Sequence, residues 1–215
     1  MSEEKGTTES LRKTAFFTGH RVLDTDKTRS IEKRVFQCIT DAYYNGYRQF
    51  YCGCALGFDT IAAFQTIIFR KYHPDVKLLL AIPCASQADR WAENDRRIYH
   101  EILDAADDKT VLSPLYYRGA MLTRNRYMAD RSSLCICYLQ HMRGGTASTV
   151  RYALAQGRIR IINLAVPPDY SSDILREDTW NYTFISRSAA VNAVTAPLRL
   201  MPGKKLIMKN MSGSC

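Results

Sequence analysis

Short apolar runs alternate with longer amphipathic ones along residues 14–165, and several of the short runs are followed by a glycine or a proline. The runs at 14–18, 49–52, 76–82, 110–112, 134–139 and 159–164 predict strands. The patterns at 28–45, 59–72, 87–105, 121–131 and 146–156 predict helices. In the first of these, Ile31, Val35, Cys38, Ile39 and Ala42 recur at three- and four-residue intervals, as on a helix packed against a sheet. Strand–helix alternation of this kind predicts an α/β fold, a Rossmann-like three-layer sandwich with a mostly parallel sheet and helices on both faces. Residues 1–13 are expected to be a flexible N-terminus. After Val166 prolines and serines interrupt any sustained period, so 166–215 is expected to be an extension, partly disordered or partner-binding.

The 215 residues carry 30 Lys and Arg against 21 Asp and Glu, a formal net charge of +9. The excess is uneven. Residues 1–117 balance, whereas 118–160 hold eight Arg, no Lys and the single acid Asp130. Arginine's rigid fork of donors suits phosphate or carboxylate oxygens, and a general polycation surface would mix in lysine. The polar N-terminus resembles no export signal, and no apolar run reaches a bilayer-spanning length, so a cytoplasmic protein without membrane contact is expected. Seven cysteines without an export signal are expected as reduced thiols. Cys52, Cys54, Cys135 and Cys137 form two C-x-C pairs, but their spacing and apolar setting suit buried small hydrophobes, and no metal or cofactor is expected.

Ligands of open parallel sheets bind outside the carboxyl ends of the strands, where loops enter helix N-termini. Four loops meet that description. Thr18, Gly19, His20 and Arg21 follow the first strand and offer close backbone approach, a hydroxyl, an imidazole and a guanidinium. Gly53, Leu56, Gly57 and Asp59 follow the second; there Asp59 either caps the next helix or hydrogen-bonds a ribose. Pro83, Gln87 and Trp91 follow the third, with Gln87 and Trp91 spaced to share a helix face, where Trp91 serves either a base or the core. After the fifth strand, Gly144, Gly145, Thr146 and Thr149 open the last helix as an anion cradle. Just upstream, Arg118 precedes a helix on which Arg124, Tyr127 and Arg131 share one face, read as an exposed arginine face, while Met121, Asn125 and Met128 share another. The sequence lacks a G-x-G-x-x-G fingerprint, a P-loop, a G-x-S-x-G elbow and H-E-x-x-H.

In order along the chain, Thr18–Gly19–His20–Arg21, Gly53-x-Ala55–Leu56–Gly57–Phe58–Asp59, Pro83 with Gln87 and Trp91, Arg124–Asn125 with Met128, and Gly144–Gly145–Thr146-x-x-Thr149 together resemble the SLOG superfamily. This Rossmann-like group includes DprA/Smf and the LOG hydrolases, and the likeness is greatest to its YpsA-like branch. The resemblance implies a sheet edge that binds a nucleotide or nucleotide-derived molecule. Relatives are sensors of cyclic or ADP-ribose-type signals, hydrolases of nucleoside monophosphates, or binders of single-stranded DNA. LOG hydrolases carry a glutamate shortly after the glycine–threonine turn, whereas this chain runs from Thr146 to Tyr152 without an acid. That departure demotes glycosidic hydrolysis, whose oxocarbenium-like transition state gains from a nearby carboxylate.

Three functions follow from this reading. The first is binding of a phosphorylated nucleotide-derived small molecule, ADP-ribose-like or cyclic, as a sensor or sequestering protein. The alternatives are hydrolysis of such a nucleotide, with Asp59 as the remaining loop acid, and DprA-like binding of single-stranded DNA, which the charge-neutral first 117 residues disfavour. A homo-oligomer is expected from related folds.

Overall fold

The structure, a computed structural model, describes residues 13–165. The proposed N-terminal arm up to residue 12 and the extension 166–215 lie outside the described residues. Six strands form one wholly parallel sheet: β1 (Thr14–Gly19), β2 (Gln49–Cys52), β3 (Lys77–Ile82), β4 (Asp108–Val111), β5 (Leu134–Tyr138) and β6 (Arg160–Asn163), in the order β4-β3-β2-β1-β5-β6. The connecting helices are α1 (Thr28–Tyr44), α2 (Phe58–Arg70), α3 (Glu93–Ala105), α4 (Ala120–Asp130) and α5 (Gly144–Ala155).

The pleat divides each strand between two cores. Ala15, Phe17, Phe50, Leu78, Leu80, Leu134 and Ile136 face α1, α2 and α3. Phe16, Ala81, Cys135 and Cys137 face α4 and α5, where Met128, Ala147 and Val150 cover them. The three-layer α/β sandwich expected from the sequence is therefore the fold. All five α1 positions singled out by periodicity are buried. Cys52 and Cys54 lie in the first core and Cys135 and Cys137 in the second, on opposite sheet faces.

One helix begins later than its pattern suggests. Residues 84–92 close a succession of tight turns, with Gln87 N–H donating to Cys84 O, Asp89 N–H to Ser86 O and Trp91 N–H to Ala88 O. Only from Glu93, after an extended Ala92, does α3 run. Gln87 and Trp91 thus share no helix face.

The chain winds outward from β1 through β2, β3 and β4, then returns to place β5 on the other side of β1. The point where the winding reverses lies between β1 and β5; in open parallel sheets, the crevice outside the strand ends at such a point is where ligands bind. Among the described residues no helix is long and apolar enough to cross a membrane.

Candidate functional site at the carboxyl edge

Four loops meet at this edge, and glycine decides how closely. A Cβ on Gly19 would lie 2.4 Å from Phe58, whose ring stacks on Tyr138 with centroids 5.9 Å apart. Gly19, read from its loop as a place where backbone approaches a ligand, leaves room for Phe58. Gly57 sits at φ +81°, and a Cβ there would meet the Arg21 carbonyl oxygen at 2.3 Å. The adjoining Phe58 N–H donates to His20 O at 3.1 Å, so the loops after β1 and β2 are locked together. From the loop after β5 the Gln140 N–H donates to His20 Nε2 at 3.0 Å, and the rings of His20 and His141 stand 5.7 Å apart. Burial and the neighbouring His141 push the His20 imidazole below its ordinary range, which keeps Nε2 an acceptor.

Beneath these loops lies a buried ion pair. Asp59 and Arg124 are each only 5% exposed, and Arg124 Nη1 is 3.6 Å from Asp59 Oδ2. Asp59 does not cap α2; Gly57 takes that position, and the Asp59 carboxylate turns inward to accept from Ala55 N–H at 3.3 Å. Burial raises its pKa, opposed by Arg124, the Ala55 N–H and the charge of Arg21. Arg124 is not on an exposed arginine face. Its guanidinium lies against Gly53, where a Cβ would be 1.4 Å from Nη1, and neither Nε nor Nη1 has a hydrogen-bond partner. Arg131, by contrast, is exposed and stacks on the Tyr127 ring at 3.7 Å. The helix face that spacing assigned to Arg124, Tyr127 and Arg131 is split between the interior and solvent.

The remaining candidates divide into framework and surface. Gln87 is buried and donates to the carbonyls of Gly53, at 3.4 Å, and Cys54, at 2.7 Å, bracing the β2 loop where Cys54 sits at φ +51°. Trp91 packs edge-on against Tyr99 and serves the core. Pro83 and Thr18 are buried, Leu56 is half-buried, and Arg21 and Arg118 are exposed. Asn125 donates to Thr149 Oγ1 at 2.6 Å, and that hydroxyl donates to Gly145 O at 2.8 Å. These two residues, read as ligand donors, hold the first turn of α5 against α4. Thr146 is buried in the same turn.

The start of α5 remains open. Its N-cap residue, Arg143, makes no side-chain capping bond, and its first turn contains no acid. Gly144 adopts φ +79°, and a Cβ on either Gly144 or Gly145 would meet nothing within 4 Å. Free N–H groups at the N-terminus of a 12-residue helix, beside the reversal point of the sheet, make a site with positive potential for an anion.

Placement of the other arginines revises the picture of one arginine cluster around this turn. Arg126 lies over Tyr152, and Arg158 donates to the carbonyls of Ala129, Asp130 and Ser132, closing the end of α4. Arg160 begins β6 at the opposite edge of the sheet. Of the eight arginines in 118–160, Arg118, Arg124 and Arg143 lie at the carboxyl edge, where Arg21 and Arg90 also lie, while Arg151 pins the loop before α5 by donating to Met142 O at 2.6 Å. Sequence spacing missed His141 and Gln140 altogether, and it missed the pairing of Asp59 with Arg124. No local pattern links residues so far apart; the sheet order brings them together.

Similarities to known proteins follow the same outline. The chain is 29% identical to the uncharacterized prophage-derived protein YoqJ of Bacillus subtilis over 51% of its own length and 70% of YoqJ. It is 31% identical to a UPF0398 protein of Halalkalibacterium halodurans, over 47% of this chain and 55% of that protein. Among solved structures, DNA processing protein A (DprA) of Streptococcus pneumoniae superposes with a TM-score of 0.51 at 23% identity. That superposition covers 71% of this chain but only half of DprA, and it reports a shared fold. The YpsA model, described as the YspA SLOG family, matches residues 17–159, from the end of β1 to the threshold of β6. This protein therefore belongs to the YspA SLOG family, the YpsA-like branch of the SLOG superfamily.

Proposed function

We propose that the crevice between the β1 and β5 loops binds a phosphorylated, nucleotide-derived small molecule, and that the protein senses or sequesters it. The open, uncapped start of α5 carries this reading: a helix N-terminus with two exposed glycines at the reversal point of a parallel sheet. A phosphate there would accept from the first-turn N–H groups, with Arg143 and Arg21 at the rim. Gly145 matters because bare backbone admits the phosphate, although the protein itself leaves room for a side chain.

Binding is favoured over hydrolysis by the setting of Asp59, the acid that follows the β2 loop. Asp59 is buried against the Arg124 guanidinium and accepts from the Ala55 N–H, so its carboxylate is engaged within the protein. A small ligand is favoured over a long polyanion because only part of the arginine excess reaches this edge, and a nucleic-acid strand needs a continuous track of charge.

The test is thermal unfolding of the full chain with a panel of nucleoside mono- and diphosphates, ADP-ribose and cyclic nucleotides. A ligand present at about a hundred times its Kd should raise the Tm by roughly 5–10 °C. Gly145→Asp should abolish that rise while leaving the ligand-free Tm within a few degrees, since an acid in the first turn suits the helix dipole but repels phosphate. No shift with any member would overturn the reading. A shift with oligonucleotides alone would replace it with nucleic-acid binding.

A further inference from the structure

Arg124 is oddly housed for a buried cation. The contact of its Nη1 with Asp59 is long at 3.6 Å, its Nη2 reaches only the Met121 sulfur at 4.0 Å, and neither Nε nor Nη1 has a hydrogen-bond partner. A guanidinium has five N–H donors, and burying them without acceptors is costly. What lets it stay is the bare backbone of Gly53, since any Cβ there would occupy the position of Nη1.

We propose that Asp59 and Gly53 are positioning residues that hold Arg124 in a stowed position, and that a ligand phosphate at the carboxyl edge draws the guanidinium out to itself. The proposal rests on the binding function above and deepens it, by giving Asp59 a role other than ribose contact. A phosphate offers the short bidentate bonds that Asp59 does not supply at its present distance. The wall behind the guanidinium is fixed, because Gln87 ties down the Gly53 and Cys54 carbonyls. The mobile partner is therefore the arginine, a long side chain with a flexible stem. Every ligand then competes with Asp59 for Arg124, and its affinity is reduced by the fraction of molecules in which the arginine is stowed.

Gly53→Ala and Asp59→Asn test this by separate means. The first expels the guanidinium sterically, and the second removes the charge that attracts it. With inorganic pyrophosphate as the probe in titration calorimetry, both variants should bind about tenfold more tightly than the wild-type chain. Unchanged or weaker binding by Asp59→Asn would overturn the proposal, and weaker binding would return Asp59 to the ligand. The stowed state is also read without any ligand, from hydrogen exchange of the Arg124 Nε–H by NMR. Exchange should be slow in the wild-type chain and at least tenfold faster in both variants. Fast exchange in the wild-type chain would overturn stowing even if the protein binds nucleotides. Slow exchange in a chain that binds no panel member would leave stowing intact and count against the binding function.

Discussion

His20 shows how one residue acquires a role that its neighbours in sequence do not reveal. In the motif it is an imidazole offered to a ligand; in the fold its Nε2 accepts the Gln140 N–H and ties the loops of β1 and β5 together. Protonation removes that acceptor. Because burial and His141 hold the His20 pKa below 6.5, the folded chain binds fewer protons at this residue than the unfolded chain. Its contribution to stability is thus fully present above about pH 6.5 and is lost as the pH falls through that value toward the lower folded one. Thermal unfolding followed from pH 7.5 to pH 5 should show this loss in the wild-type chain, and His20→Gln should lack that component. Superimposable pH profiles would contradict it. Asn125 and Thr149 teach a similar lesson. Their polar side chains suggest ligand contacts, but a polar group that becomes buried must find a partner, and these find one another.

At the scale of elements, the strands and helices were legible because each buries one face, and burial imprints a period of two or of about three and a half. The five buried positions of α1 coincide with its apolar pattern. The start of α3 was not legible, since residues 87–92 have a helical pattern but lie in successive turns. Glycines divide in the same way. Sequence assigns Gly19, Gly53, Gly57, Gly144 and Gly145 to loops at the sheet edge, but only the fold separates those that admit protein from those that face outward. Gly57 is strained for any side chain and is backed by the Arg21 carbonyl, whereas Gly145 faces open space. Gly57→Ala should therefore cost about 2–3 kcal/mol of stability in urea unfolding, and Gly145→Ala less than about 0.5 kcal/mol. Equal costs would contradict this division between framework and ligand-facing glycine.

Across the whole molecule, the topology turns a scattered set of polar residues into a site. Reversal of winding between β1 and β5 brings residues 18–21 and 139–145 together at the carboxyl edge, and the Asp59–Arg124 pair lies against the β2 loop of the same edge. Strand and helix alternation, and the loops that serve the carboxyl edge, were readable from sequence because local periodicity and turn chemistry encode them. The buried ion pair and the dispersal of the arginines were not, because those depend on strand order and on which way each helix faces. The central claim is that a phosphorylated, nucleotide-derived ligand binds at the carboxyl edge and touches the start of α5. It is tested most directly by recording backbone amide NMR spectra of the full chain while titrating ADP-ribose and the nucleotide panel. The shifts should concentrate at Gly144–Thr149, Thr18–Arg21 and Gly53–Asp59. Shifts confined to the arginines of the α4 and β6 surface, Arg126, Arg131, Arg158 and Arg160, or no shifts with any member, would contradict it.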